Sequence, residues 1–255
     1  MLSPAAVRAI IAIPARYHSE RFPGKVLCDL EGQSMLERVW RAATAANGFD
    51  AVVILTDDER IATACMQWGA DCRMTPASLP SGTDRVAYAV SRWFRDVEIV
   101  LNLQADEPLV PSQLLESLLD ALTNHPFADV ATPIASVASI EEVRSPTVCK
   151  VLCRHDGTAL LFSRAPIPFD RRHGIGALEH YRKHIGIYAY RRGALEQFAE
   201  LPPDPIEVLE SLEQLRLLRA GATFLCVPTD AELIAVDTPA DADRVRAYLR
   251  RQAML

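Results

Sequence analysis

The sequence feature that most restricts the fold is a series of short, almost wholly apolar runs separated by stretches with helical spacing. Residues 9–13, 51–55 and 98–103 are such runs, and each is about the length of one strand. A strand without polar alternation is buried on both faces, which is typical of a parallel sheet covered by helices on both sides. The pattern therefore predicts an α/β fold built on a doubly wound, mostly parallel sheet.

The middle of the chain has a different pattern. Residues 148–153 and 160–163 are strand-like and flank an Asp156-Gly157 turn, which predicts a β-hairpin. We therefore expect a single domain over the whole chain, residues 1–255, with an inserted β-rich subdomain at about residues 147–200.

The last third of the chain again alternates between helix and strand patterns. Apolar spacing predicts one long helix over residues 206–219, followed by short strands at 223–227 and 233–236.

Composition excludes several classes of function. The net charge is −6, so the chain has no overall attraction for nucleic acid or for an anionic membrane. No apolar run approaches the ~20 residues that a membrane-spanning helix needs. The first residues show no basic segment followed by a long apolar one, and we expect a cytoplasmic protein.

The loop after the first strand is rich in cationic side chains. It carries Arg16, Arg21 and Lys25, with Gly24 allowing close approach of the backbone. Ligands bind beyond the carboxyl ends of strands in such sheets, and a triphosphate requires several fixed cations. A solvated basic loop is the alternative. The loop is neither GxxxxGK[ST] nor GxGxxG, which makes a dehydrogenase a weak interpretation.

Two carboxylates follow apolar runs further along the chain. Asp106 and Asp237 are each placed to hold Mg²⁺, which prefers oxygen ligands, although Asp237 is equally suited to cap the next helix. The turn from Ser81 to Arg85 opens a helix whose N–H groups could receive a base or phosphate, or could simply be capped.

Taken together, these segments resemble the 3-deoxy-manno-octulosonate cytidylyltransferase family over roughly residues 9–250. The basic opening is shared with several sugar-nucleotide transferases, whereas the later motifs are more specific. The motifs are IPARYHSERFPGK, SGTDR, LQADEP, LLFSRAPIPFDR, RKHIGIYAY, LESLEQLR and AVDTPADADRVR.

The resemblance implies a nucleotide-diphospho-sugar transferase-like sheet and a nucleotidyltransferase activity. The expected reaction is Mg²⁺-dependent transfer of CMP from CTP to 3-deoxy-D-manno-octulosonate, giving the CMP-sugar and pyrophosphate for lipopolysaccharide biosynthesis. Members of the family are usually homodimers.

The resemblance also implies roles for individual residues. Arg16 and Lys25 would contact the CTP phosphates, and Asp106 and Asp237 would bind Mg²⁺; these four are the expected catalytic residues. Asp106 would also belong to the CTP site. The remaining positions are Ser81, Gly82 and Gln104 for cytidine, and Arg164, His184, Tyr188, Glu213 and Gln214 for the sugar.

The sequence departs from the family pattern at two positions. Ala105 and Ala189 stand where the family usually has glycine, and an alanine at a position that needs a positive φ would strain the site. The alternatives are a cytidylyltransferase for another acidic sugar, such as a sialic acid or an amino-octulosonate, or a non-catalytic protein that binds CTP.

Overall fold

The strands and helices alternate along most of the chain. The computed structural model describes residues 8–253. Its first elements are β1 (Ala9–Ala15), α1 (Met35–Thr44), β2 (Ala51–Thr56), α2 (Glu59–Trp68), β3 (Asp71–Met74), α3 (Gly82–Trp93), β4 (Ile99–Asn102) and α4 (Ser112–Asn124). They are followed by β5 (Val130–Ser136), α5 (Ile140–Arg144), β6 (Lys150–Cys153), β7 (Ala159–Ser163), β8 (Arg182–His184), β9 (Tyr188–Arg191), α6 (Arg192–Glu200), α7 (Pro205–Glu210), α8 (Gln214–Arg219), β10 (Phe224–Pro228) and α9 (Pro239–Ala253).

The chain divides into two compact units. Among the described residues, unit 1 contains 8–116 and 231–253, and unit 2 contains Ser117–Asp230. Over residues 8–253, every helix is too short or too polar to cross a membrane.

Unit 1 is built on a parallel sheet. Its strand order is β3-β2-β1-β4, and β1 pairs in parallel with β2 and with β4. Every residue of β1 is buried, because its apolar run has neighbours on both faces. The sequence prediction of a parallel sheet is confirmed in this unit.

Local sequence sets the ends of the helices in unit 1. The Ser34 hydroxyl accepts a hydrogen bond from the Glu37 N–H and begins α1, and Ser81 does the same for α3 through Asp84 N–H. Gly69 ends α2 with φ 74°, a conformation that glycine adopts without a steric penalty.

Unit 2 is centred on β5, which is parallel to β10 and antiparallel to β8 and β9. β6 and β7 form the predicted hairpin, in which Lys150 lies opposite Ser163.

The predicted helix over residues 206–219 is wrong, because the chain breaks into α7 and α8. Ser211 has a left-handed backbone with φ 51°. The Arg216 guanidinium forms a buried ion pair with the Glu207 carboxylate at 2.5 and 2.8 Å. On one continuous helix these residues would be about 13 Å apart along the axis, so only a break allows the pair to form.

The predicted strand at residues 233–236 is also absent. The structure has irregular backbone there, in which the Val236 N–H donates to the Asp106 carbonyl oxygen at 2.9 Å.

Candidate active site

In unit 1, the side chain of Lys25 lies between the two predicted metal-binding carboxylates. Its Nζ is 2.8 Å from Asp106 Oδ2 and 3.1 Å from Asp237 Oδ1, and it also donates to the Val236 carbonyl oxygen at 2.9 Å. The three predicted residues are therefore brought together, although Asp106 and Asp237 are far apart in sequence.

The backbone explains why these three residues meet. Lys25 begins a single-turn helix after the loop that follows β1, and Gly24 precedes it with φ 73°. Asp106 follows β4, the parallel neighbour of β1. The hydrogen bond from Val236 to Asp106 then places Asp237 beside both, since it ties the segment before α9 to the end of β4.

The two carboxylates of this cluster stabilise the charged form of Lys25. Burial alone would lower the pKa of Lys25, but the carboxylates of Asp106 and Asp237 outweigh burial and raise it above 10.5. Lys25 therefore stays an ammonium ion. Arg21 adds a second cation, with Nη2 3.0 Å from Asp237 Oδ2.

Asp237 is not the cap of α9. Thr238 caps that helix: its hydroxyl accepts from Asp241 N–H and donates to the Asp241 carboxylate at 2.8 Å. The Asp237 side chain faces the two cations instead, so the alternative of a helix-capping role is excluded.

Glu107 is a functional candidate that the sequence interpretation missed. Its side chain is buried, and its Oε2 has no hydrogen-bond partner among the described residues. Burial, together with the charges of Asp106 and Asp237, raises its pKa to about 8. Nothing in the sequence separates it from the adjacent Asp106, since both belong to the same acidic pair.

The predicted cytidine residues also lie together in unit 1. A methyl group built on Gly82 would lie 3.2 Å from the Pro14 ring and 3.5 Å from Gln104 Oε1, so the absence of a side chain allows this approach. Gln104 Nε2 donates to Asn102 Oδ1 at 3.1 Å. The hydroxyl of Ser81 is occupied within α3, because it donates to the Asp84 carboxylate at 2.7 Å.

Within residues 8–253, the guanidinium of Arg16 has a hydrogen-bond partner for only some of its N–H groups. Its Nη2 donates to the Leu79 carbonyl oxygen at 2.6 Å, whereas its buried Nε has no hydrogen-bond partner among the described residues. Buried donors normally have a partner, so this guanidinium is suited to an anionic ligand.

The residues present fit a Mg²⁺ ion that is shared with a nucleotide. No group of three or more acidic, histidine or cysteine side chains within residues 8–253 could hold a metal alone. Asp106 and Asp237 nevertheless converge on a single cationic nitrogen. Mg²⁺ is usually bound by one or two carboxylates together with substrate phosphates, and this donor set matches that requirement.

The five predicted sugar residues all lie in unit 2. The ring of His184 lies 4.9 Å from Phe162 and 5.4 Å from Tyr188, between ring centroids. Burial raises the pKa of Tyr188, and the nearby ionisable groups of Tyr190, Cys149 and Glu213 raise it further. Gln214 Nε2 donates to the sulfur of Cys149 at 3.7 Å.

Arg164, which the resemblance assigns to the sugar site, is engaged mainly with backbone carbonyl oxygens. Its guanidinium donates to the carbonyl oxygens of Glu210 at 2.6 Å, Pro146 at 2.8 Å and Ser211 at 3.1 Å. A fourth, longer bond reaches the Thr147 carbonyl oxygen at 3.4 Å. Four of its five N–H groups are therefore used to hold unit 2 together.

Ala105 and Ala189 do not strain the backbone. Both are buried, and the only non-glycine residues with positive φ within residues 8–253 are Glu31 and Ser211. Neither alanine occupies a conformation that requires glycine.

Comparison with known proteins identifies the family of this chain. Residues 10–224 match the family model described as cytidylyltransferase. A 3-deoxy-manno-octulosonate cytidylyltransferase from Synechococcus elongatus is 41% identical over 95% of this chain and 98% of its own length. The enzyme of the same name from Anaeromyxobacter sp. (strain Fw109-5) is 44% identical, over 95% and 97%.

A solved structure confirms the α/β fold class. It is CMP:2-keto-3-deoxy-manno-octonic acid synthetase complexed with CTP, which is 38% identical with a TM-score of 0.89 and covers 96% of this chain and 99% of its own. The matches extend over nearly the whole chain, and they agree with the resemblance seen in its motifs. The chain belongs to the 3-deoxy-manno-octulosonate cytidylyltransferase family of nucleotidyltransferases.

Proposed function

We propose that this protein transfers CMP from CTP to 3-deoxy-D-manno-octulosonate, giving CMP-3-deoxy-D-manno-octulosonate and pyrophosphate. The observation that carries the proposal is the cluster of Lys25, Asp106 and Asp237, with Arg21 beside it. The names and high coverage of the relatives support the choice of sugar, and the CTP in the similar solved structure supports the choice of nucleotide.

On the nucleotide side, fixed cations neutralise the triphosphate. Arg16 offers its unpartnered Nε, and Lys25 offers an ammonium ion that is held in place by two carboxylates. Gly82 and Gln104 bind the cytosine edge. The hydroxyl of Ser81 is already bonded to Asp84, so Ser81 contributes to cytidine binding by fixing the start of α3. Such groups catalyse nucleotidyl transfer by orientation and charge stabilisation, without a covalent enzyme intermediate.

Asp106 and Asp237 would hold Mg²⁺. When bound, the ion supplies positive charge to the phosphate oxygens while the pyrophosphate leaves. Within the protein, Lys25 keeps the two carboxylates close together before any metal binds, because it donates to both.

On the sugar side, His184, Tyr188, Glu213 and Gln214 bind the octulosonate in unit 2. The anomeric hydroxyl of the sugar attacks the α-phosphorus of CTP, the bond to the pyrophosphate group breaks with its electron pair leaving on pyrophosphate, and the hydroxyl proton is released to water. Arg164 supports Glu213 and Gln214 of this set by bonding Glu210 and Ser211, which lie shortly before them in the chain. Its remaining N–H is available to the sugar carboxylate.

A homodimer forms through unit 2. β7 lies at the end of the sheet order and exposes Leu160 and Leu161, while α7 exposes Val208 and Leu209. The Ser163 hydroxyl donates to the Glu210 carboxylate at 2.7 Å and links the two elements. Exposed apolar side chains on linked elements are typical of an interface between protein chains.

The reaction takes place in the cytoplasm and supplies an activated acidic sugar for lipopolysaccharide synthesis. The test is pyrophosphate release from CTP and Mg²⁺ with 3-deoxy-D-manno-octulosonate, an amino-octulosonate, sialic acid or no sugar. Release with the octulosonate at a kcat/KM at least tenfold above that for the other sugars supports the proposal. Preference for another sugar overturns the substrate, and CTP binding without turnover on any sugar overturns the activity.

A further inference from the structure

A buried hydroxyl group fixes the orientation of His184. Thr132, on β5, is fully buried in unit 2, and its Oγ1 lies 2.9 Å from His184 Nε2. The same oxygen is 2.9 Å from the Ile187 carbonyl oxygen and 3.2 Å from that of Ile185. One hydroxyl therefore has three neighbours but only one proton to donate.

The backbone decides where this proton goes. Ala131 lies opposite Ala189, but further along β5 the register shifts, so that Ile134 lies opposite His184 and the Ile185 N–H donates to the Pro133 carbonyl oxygen at 3.0 Å. Proline has no N–H, so Pro133 offers no backbone donor to the Ile187 carbonyl. The hydroxyl of Thr132 supplies the missing donor, whereas the Ile185 carbonyl already accepts from Ile187 N–H at 2.8 Å.

The protonation state of His184 follows from this direction. Since the proton of Thr132 points to a carbonyl oxygen, Oγ1 faces the imidazole with a lone pair, and His184 Nε2 must be the donor. Burial lowers the pKa of His184 to about 3, so the ring is neutral and Nδ1 carries no proton. The rings of Phe162 and Tyr188 pack against the imidazole, and His184 as a whole residue is only half-buried.

We propose that Thr132 is a positioning residue that holds His184 as the Nε2–H tautomer, so that Nδ1 accepts a hydrogen bond from a hydroxyl group of the acidic sugar. The sugar part of this inference rests on the function proposed above. The tautomer itself rests only on the contacts of Thr132, His184 and Ile187. Thr132 contributes without touching the substrate, because it determines which imidazole nitrogen is free to accept.

The test compares the full-length protein with Thr132→Val, Thr132→Ser and His184→Gln. Valine has nearly the shape of threonine but no hydroxyl, and serine restores the hydroxyl. Nitrogen-15 spectra of protein labelled at histidine report the tautomer directly, since protonated and bare imidazole nitrogens resonate far apart. His184→Gln identifies the His184 signals, and thermal melting checks that each variant is folded.

We expect the unmodified protein to show the Nε2–H form of His184 and Thr132→Val to lose it. In Thr132→Val the KM for the octulosonate should rise about tenfold, the loss expected for one hydrogen bond, while the KM for CTP changes less than twofold. Thr132→Ser should restore both the tautomer and the KM for the sugar to within about threefold.

Three results overturn the inference. An Nδ1–H tautomer in the unmodified protein overturns the inference, regardless of its activity on sugars. A tautomer that is unchanged in Thr132→Val also overturns it. Loss of the tautomer without a change in the sugar KM overturns the role in substrate binding. Failure of the proposed function appears separately, as an unmodified protein that shows the expected tautomer but turns over no octulosonate.

Discussion

The ammonium group of Lys25 donates to the carboxylate of Asp106 across 2.8 Å, and the two residues come from loops that follow neighbouring parallel strands. The pair places one positive and one negative group at the same edge of the sheet in unit 1. Both groups are only partly exposed, so their interaction is less screened than that of a surface ion pair.

Replacing Asp106 with asparagine should abolish most turnover without unfolding the protein. The substitution keeps the size of the side chain but removes one of the two carboxylates that would bind Mg²⁺. We expect kcat to fall at least about 100-fold, the size typical of losing one electrostatic contact to a transition state. Pyrophosphate release measures the effect, and thermal melting checks the fold.

Asp243→Asn is the matched control for Asp106→Asn. Asp243 lies on α9, is largely exposed and pairs only with Arg246 among the contacts described, so its loss should leave kcat unchanged. A folded Asp106→Asn protein with near-normal turnover would contradict the role of this carboxylate in metal and phosphate binding.

Glu107 should make the free energy of unfolding depend on pH. Its pKa is about 8 in the folded protein and about 4.5 in the unfolded chain. Between these values the folded state keeps a proton that the unfolded state has released. The contribution of Glu107 to the free energy of unfolding is therefore fully present below pH 4.5. It falls as the pH rises and stops falling above about pH 8.

Glu107→Gln removes this dependence, because an amide does not ionise. Urea unfolding at pH 5, 6, 7 and 8 measures the free energy of unfolding of both proteins. The value for the variant should rise relative to that of the unmodified protein at each step in pH. For an isolated group the limit is about 1.4 kcal/mol per pH unit. A difference that stays constant over this range would show that the carboxyl group of Glu107 does not change its charge there.

Replacing Arg164 with glutamine should destabilise the protein as well as weaken sugar binding. The guanidinium donates to carbonyl oxygens of Pro146, Glu210 and Ser211, and glutamine cannot reach all three. We expect the free energy of unfolding to fall by about 2–3 kcal/mol, as for a lost charged hydrogen bond to a partly buried group.

Urea unfolding measures this loss, and Arg172→Gln, an exposed residue of the same region, should leave stability unchanged. If Arg164→Gln raised the KM for the sugar but kept normal stability, Arg164 would act as a substrate ligand and the carbonyl contacts would contribute little.

Introducing a charge on α7 should separate the proposed dimer. Leu209 is 79% exposed, and Leu209→Glu would bury a carboxylate in an apolar interface at a high cost in binding free energy. Sedimentation equilibrium should show the dissociation constant rising at least about 100-fold.

Met66→Glu is the matched control for Leu209→Glu, since Met66 is 71% exposed but lies on α2 in unit 1. Met66→Glu should leave the molecular mass of the species in solution unchanged. A Leu209→Glu protein with the same mass as the unmodified protein would exclude this face as the interface.

Much of the fold could be predicted because its signals are local. The apolar runs that became β1 and β4 are wholly buried, and β2 is buried over its last four residues. Ser34 and Gly69 mark helix ends by their own chemistry. The break between α7 and α8 could not be predicted, because it depends on the pairing of Glu207 with Arg216, which the helical periodicity of the segment conceals.

The candidate site divides in the same way. Sequence motifs alone selected Lys25, Asp106 and Asp237, and they selected His184 by resemblance. They left both Thr238 and Asp237 open as caps of α9, and they could not show that Arg164 uses most of its donors on backbone carbonyls. Thr132 and Glu107 carried no signal, since burial gives each of them its importance.

The sequence by itself therefore determined the class of fold, the family and the chemical types of the site residues, because periodicity and motif spacing are properties of the chain. The tertiary structure decided which groups share a hydrogen bond, which carboxylate keeps a proton and which nitrogen of His184 is free to accept. These properties depend on contacts between distant residues and on removal from water, and both arise only when the chain is folded.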